Sequence, residues 1–213
     1  LDEQIQTLIN ARASCAQEVA ALKISTDAQG IEAVGFYRPE REAQVLQRMV
    51  DSNTGPLPAQ SVTTLFTEVM SHCRALEAPL TVAYLGPAGT FSEAAVVQRF
   101  GQASQEIPCA SIDEVFRAVE SAAANYGMVP VENSTEGAVG RTLDLLLQSP
   151  LKVCGEVMLT VHQCLLSQAS DLAGIQRVYS HPQSFGQCQG WLNTHLPNAE
   201  RIPVSSNAEA ALL

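Results

Sequence analysis

Four charged residues stand where helical periodicity demands apolar ones. From Leu1 to Lys23, the residues Ile5, Leu8, Ile9, Ala16 and Val19 recur on one stripe of a helix, and Arg12 and Lys23 share it. Glu42 extends backward the stripe of Val45, Leu46, Met49 and Val50, and Glu77 continues that of Val62, Leu65, Phe66, Val69, Met70, Cys73 and Leu76. One such residue is ordinarily a snorkelling side chain or a helix end. Four on three helices are harder to absorb that way, because burying an unpaired charge is costly. They should face one another or a charged ligand. Arg12 and Lys23 lie about 16 Å apart along one helix face. Two long side chains leaning toward each other leave a gap of small-molecule size.

A second set of residues is small and polar. Tyr84–Gly101 reads YLGPAGTFSEAAVVQRFG, in which an apolar run from Leu80 to Leu85 meets a Gly86-Pro87-Ala88-Gly89 turn and then a helix. Thr90 and Glu93 have capping-box spacing at that helix start. A strand, a glycine-bearing turn and a helix N-terminus gather free backbone N–H groups suited to a carboxylate or phosphate. Similar polar clusters, at residues 132–137 and 180–187, follow the apolar runs Tyr126–Val131 and Arg177–Tyr179. Any one of them reads as a capped turn. Three at equivalent strand ends suggest one cleft.

The elements that position these residues divide into two parts. Residues 1–77 read as three helices, with Ile24–Gly35 a loop, Pro39 opening the second helix and Asn53-Thr54-Gly55-Pro56 closing it. Three helices in so short a segment make a thin core, which favours an intertwined dimer. Ala78-Pro79 reads as the junction. Beyond it, strands at 80–85, 107–110, 126–131, 153–157, 159–166 and 177–179 alternate with helices, one opened by the capping box Ser111–Glu114 and another by Ser206–Glu209. That alternation implies an α/β domain with a mostly parallel sheet and ligand groups at the strands' C-terminal ends.

Composition narrows the function classes. A chain of 213 residues is long enough for one large domain or two small ones, and with 46% apolar and 16% charged residues it reads as a packed protein rather than a disordered one. No apolar run approaches the roughly 20 residues that span a bilayer, and no secretory n- and h-region opens the sequence. A net charge of −10 argues against nucleic-acid binding, so an anionic ligand would be held by locally placed cations. Cys15, Cys73, Cys109, Cys154, Cys164 and Cys188 form no metal-ligand spacing and read as reduced, mostly buried thiols of a cytoplasmic protein. No motif supports a metal or organic cofactor.

The string G-P-A-G-T-F-S-E-A-A at residues 86–95 resembles the signature of prephenate dehydratases, as do V-P-V-E-N-S-T-E-G at 129–137 and Y-S-H-P-Q-S-F-G-Q-C at 179–188. The resemblance implies a prephenate dehydratase domain over 79–213. Its fold would be two α/β lobes similar to periplasmic ligand-binding proteins, the first about 79–156 and the second starting at 157. Thr90, Asn133, Ser134, Ser180 and Gln187 would line the site. His181 reads equally as an acid or as a backbone-bonded structural residue. Over 1–78, F-Y-R-P-E-R-E-A-Q-V-L at residues 36–46 resembles the all-helical chorismate mutases. That likeness implies that Arg12 and Arg41 bind carboxylates and Lys23 reaches the ether oxygen. Glu42 would receive the ring hydroxyl, and Glu77, when protonated, would be a second ether-oxygen contact. Arg38 stands near where some members carry an acid.

Together the two likenesses imply a bifunctional enzyme of phenylalanine biosynthesis, an isomerase acting on chorismate and a lyase acting on prephenate. It would be a cytoplasmic homodimer with no membrane or nucleic-acid partner. They also imply parts not seen in these residues: an arginine before Leu1, a T-R-F motif, and a regulatory domain through which phenylalanine acts as feedback effector. The sequence thus reads as a partly recorded chain. A second reading is a non-catalytic two-lobed protein that senses a small carboxylate, and a third is a structural helical dimer with a passenger domain.

Overall fold

The computed structural model describes residues 1–27, 37–134 and 137–213. Helices α1 (Asp2–Asp27), α2 (Pro39–Asp51) and α3 (Ala59–Glu77) come first, and both α1 and α2 pack on α3. Proline at the first helical position and two glutamates in the first turn suit the start of α2. Ile24–Asp27, expected in a loop, instead belong to the last turns of α1. Neither proline nor glycine interrupts residues 24–27, and polar residues are tolerated in a last turn. The rest of that expected loop lies outside the described residues.

The apolar stripe of α1 is not covered. Ile5 is 55% and Leu8 71% exposed, and Val19 and Leu22 are exposed as well. Leu65 and Leu76 of α3 are also exposed, which leaves Val62, Met70 and Cys73 as the buried part of its face.

Strands β1 (Thr81–Leu85), β2 (Gln105–Cys109) and β3 (Tyr126–Met128) form a parallel sheet in the order β2-β1-β3. Helices α4 (Phe91–Phe100) and α5 (Ile112–Glu120) provide the crossovers. Alternation along β1 sends Val82 and Tyr84 toward Val96 and Phe100 of α4, and Ala83 toward Val115 of α5. All three β1 residues are essentially inaccessible to solvent. Tyr37, which precedes α2, is buried in the same core. Its ring centroid is 5.3 Å from Phe100 and 5.1 Å from Tyr126. The helical segment therefore contributes a side chain to the α/β core.

The expected strand over Tyr126–Val131 stops at Met128, two residues before Pro130, which cannot donate to a ladder. A short antiparallel hairpin, β4 (Glu132–Asn133) with β5 (Gly137–Ala138), and α6 (Gly140–Gln148) follow. The strands expected at 153–157 and 159–166 do not form. A strand needs a ladder partner, and Val153, Met158 and Leu166 are instead well exposed. The chain then makes β6 (Arg177–Ser180), α7 (Pro182–His195), β7 (Glu200–Pro203) and α8 (Asn207–Leu212), with β6 and β7 parallel. A third cluster of Val178, Leu192 and Leu196 holds that part together.

All six cysteines are free, but only Cys73 and Cys109 are buried; Cys15, Cys154 and Cys164 are exposed, contrary to the mostly buried set expected. Among the described residues no helix is long and apolar enough to cross a membrane, and no cluster of three His, Cys, Asp or Glu residues could hold a metal ion.

Candidate functional site

The charged stripe residues of the three helices converge. Arg12 of α1, Arg41, Glu42 and Val45 of α2, and Met70, Cys73, Arg74 and Glu77 of α3 line a cavity of about 250 Å³. Lys23 Nζ donates to Glu77 Oε2 at 3.3 Å, which ties the far end of α1 to the end of α3. Three arginines and Lys23 therefore stand against two carboxylates. This is a locally cationic site in a chain of net charge −10, and it fits a small molecule with two negative charges. The apolar wall of Val45, Met70 and Cys73 supplies shape.

Each side chain reaches the cavity because its helix places it there. Cys73 and Arg74 each stand three or four residues from both Met70 and Glu77, so the four form one face of α3. Arg74 is the residue the sequence reading passed over, although it falls at i+4 from Met70 and i−3 from Glu77. Its side chain is 6% exposed and is ion-paired with Glu42 Oε1. A second guanidinium nitrogen donates to the carbonyl of Phe100 at 2.6 Å, and the group lies 4.8 Å from the Tyr37 ring centroid. Burial, with Glu42 nearby, pushes the Tyr37 phenol up to about 12 despite Arg99 and Arg74. Arg38 is exposed at the N-cap of α2, outside the cavity lining.

The polar strand-end residues are placed differently. Thr90 caps α4: its Oγ1 accepts from Glu93 N at 3.5 Å and donates to the carbonyl of Leu85 at 3.1 Å. Glu93 returns its carboxylate to the N–H of Gly89 and accepts from the Tyr84 hydroxyl at 3.2 Å. The turn expected to offer its N–H groups to an anion thus already holds a carboxylate of its own. Desolvation, with Glu93 nearby, raises the pKa of the neighbouring Glu106. Burial and Glu93 also push the Tyr84 phenol up to about 12.

Ser180 Oγ donates to Asn207 Oδ1 at 2.9 Å, and the same oxygen accepts from His181 N at 3.0 Å. Asn207 Nδ2 in turn donates to Ser184 Oγ at 2.8 Å. Asn207, missed in the sequence, therefore ties the end of β6 to the first turn of α7; its only signal was the capping box that opens α8. A Cβ added to Gly89 would lie 3.5 Å from Ala208 Cβ, so the turn after β1 meets the start of α8 and comes near the Ser180 cluster. Gln187 accepts from Gln163 Nε2 at 2.8 Å. Half-buried Asn133 pairs with Gly137 in the β4–β5 hairpin, and exposed Ser134 follows it. His181 Nδ1 accepts from Gln183 N at 3.2 Å and so caps α7, which gives this ring nitrogen a structural use.

Similarity to known proteins follows the same division of the chain. Residues 82–213 match the family described as prephenate dehydratase, and residues 1–78 match chorismate mutase type II. A bifunctional chorismate mutase/prephenate dehydratase of Pseudomonas aeruginosa is 54% identical over 212 residues, which are 99% of this chain and 58% of that protein. The chain thus spans a little over half the length of the curated relatives it matches. The crystal structure of a prephenate dehydratase from Staphylococcus aureus matches with a TM-score of 0.55 at 29% identity, over 62% of this chain and 50% of that one. A prephenate dehydratase from Arthrobacter aurescens in complex with L-Phe matches with a TM-score of 0.51 at 34% identity, over 62% of this chain and 45% of that one.

Proposed function

The chain belongs to the prephenate dehydratase family, with a type II chorismate mutase segment ahead of that domain, and we propose that it works in a bifunctional enzyme that isomerises chorismate to prephenate and converts prephenate to phenylpyruvate. The observation that carries the first activity is the cationic cavity of about 250 Å³ between α1, α2 and α3.

Chorismate is a dianion, and its rearrangement breaks one C–O bond as one C–C bond forms, with no proton transferred and no covalent intermediate. Such a reaction needs a tight shape, carboxylate anchors and a donor at the breaking ether oxygen. Arg12 and Arg41 hold the carboxylates. Lys23 exchanges Glu77 for the ether oxygen, Glu42 accepts the ring hydroxyl, and Glu77 in its acid form is the second donor. In the dehydratase half, Thr90, Asn133, Ser134, Ser180 and Gln187 line the cleft where prephenate loses carbon dioxide and its hydroxyl leaves as water. The mutase domain is 1–78 and the dehydratase domain 79–213, the latter the first lobe and the start of the second of a two-lobed fold.

The exposed apolar stripe of α1 supports a homodimer in which a second copy covers Ile5, Leu8 and Val19. Phenylalanine, the ligand of the Arthrobacter relative, is the candidate effector. A non-catalytic carboxylate sensor is the poorer reading, because a sensor has no use for a lysine directed at an ether oxygen.

The test is to incubate the chain separately with chorismate and with prephenate, following loss of each and formation of phenylpyruvate. Chorismate consumption that yields prephenate supports the mutase half. Conversion of prephenate to phenylpyruvate supports the dehydratase half. A folded chain that consumes neither contradicts both.

A further inference from the structure

We propose that Arg74 is a positioning residue, through which the α/β core fixes the cavity carboxylate Glu42. The inference rests on the mutase reading above for its catalytic consequence, but its geometry stands apart from that reading. Arg74 makes three contacts at once: an ion pair with Glu42, a 2.6 Å bond to the Phe100 carbonyl, and a stack over Tyr37. Phe100 ends α4, and Tyr37 and Phe100 both belong to the core of the parallel sheet. The guanidinium therefore spans from the wall of the helical cavity to the backbone of the adjoining domain.

Neighbouring contacts hold that joint fixed. Ser71 Oγ accepts from Ala103 N at 3.2 Å, and Glu68 accepts from Gln102 N at 3.2 Å. Residues 68, 71 and 74 lie on one face of α3, and each bonds a backbone group at or just after the end of α4. Between them, a Cβ on Gly101 would come within 2.4 Å of Ser71 Cβ, so the two backbones meet with no slack. Arginine suits this position because its planar fork can donate in two directions while its face lies on a ring, whereas a lysine is a single point charge. Arg74 is thus more than a further cation of the cavity: one edge of it is held by the partner domain, and Glu42 is oriented by the other.

The test is a double-mutant cycle in the full chain with Arg74→Lys and Glu42→Gln, read in two ways. For chorismate turnover, Arg74→Lys alone should cost about tenfold to a hundredfold in kcat/KM, the scale of a misplaced catalytic group. In the Glu42→Gln background it should cost less than about twofold, because the group it positions no longer carries charge. For urea unfolding, Arg74→Lys should lower the midpoint, and that shift should shrink to under half when Glu42 is Gln. Tyr37→Leu, which removes the stack on Arg74 and is itself outside the cavity lining, should reproduce a smaller part of the turnover loss.

Losses that multiply independently would overturn the proposal, as would a lysine that fully restores turnover. If the unsubstituted chain does not consume chorismate, the mutase reading fails, and the unfolding cycle alone decides the Arg74 link: coupled shifts uphold it and additive shifts refute it.

Discussion

The helical segment and the α/β segment both display polar residues at regular spacing, yet they use them differently. In the first, charges from α1, α2 and α3 meet across helices around a cavity. In the second, the polar residues that open α4, α5 and α8 are consumed close by in the chain, while Ser180 and Gln187 reach far along it, to Asn207 and Gln163. Glu93, Glu114 and Glu209 each accept an N–H four residues back, while Thr90, Ser111 and Ser206 cap the same helices. The lesson lies in reach. A long charged side chain on an apolar stripe has no partner on its own helix and must find one on another, whereas a hydroxyl at a helix start is satisfied locally.

Substitutions can break or sharpen this contrast. The largest effect is expected in the cavity, where Arg12→Ala removes a carboxylate anchor. It should lower kcat/KM for chorismate by at least about a hundredfold while leaving prephenate consumption unchanged, measured in parallel assays. Equal losses in both assays would show that the two sites are not separable.

Next is the joint between the parts. Gly101 has φ +75° and no room for a side chain against Ser71. Gly101→Ala should cost about 2–4 kcal/mol in urea unfolding, by strain and overpacking together. A loss under about 1 kcal/mol would mean that α3 and α4 slide apart easily.

The caps come third. Ser111→Ala and Thr90→Ala should each cost about 1 kcal/mol of stability. If Thr90 also serves prephenate, Thr90→Ala should additionally slow phenylpyruvate formation, a loss that Ser111→Ala should not show. Equal activity in both variants would leave Thr90 a cap alone.

The smallest effect concerns Glu106, whose pKa is raised above the ordinary 4.5 by burial and by Glu93. The folded chain then binds the proton more tightly than the unfolded one. Stability from the protonated form is complete below the unfolded pKa and is lost as pH rises through the folded pKa. Glu106→Gln mimics that form, so it should raise the urea midpoint at pH 7 and leave it nearly unchanged near pH 4. A lower midpoint at pH 7 would mean that the carboxylate has a favourable partner.

Much of this was legible in the sequence, for reasons that can be named. Arg12, Glu42 and Glu77 were visible as interruptions of apolar periodicity, and the cavity brings them together. Both internal capping boxes, at Thr90 and Ser111, form as their spacing predicts. Arg74 is not distinguished locally, because a basic residue near a helix C-terminus is ordinarily a dipole partner; its tertiary contacts with Glu42, Phe100 and Tyr37 are what mark it as buried. Strands at 153–166 were read from apolar content alone, but strand formation depends on a ladder partner that no local pattern specifies. Tyr37 could not be assigned to the α/β core from its place before α2, since nothing local shows that it crosses the junction.

The most direct test of the central claim is the chorismate kcat/KM of the chain beside that of Lys23→Ala, with matched unfolding curves. The account predicts that the unsubstituted chain converts chorismate to prephenate and that Lys23→Ala loses at least about a hundredfold while remaining folded. Equal turnover by the two proteins would contradict it and remove Lys23, and with it the cavity's proposed chemistry, from the reaction.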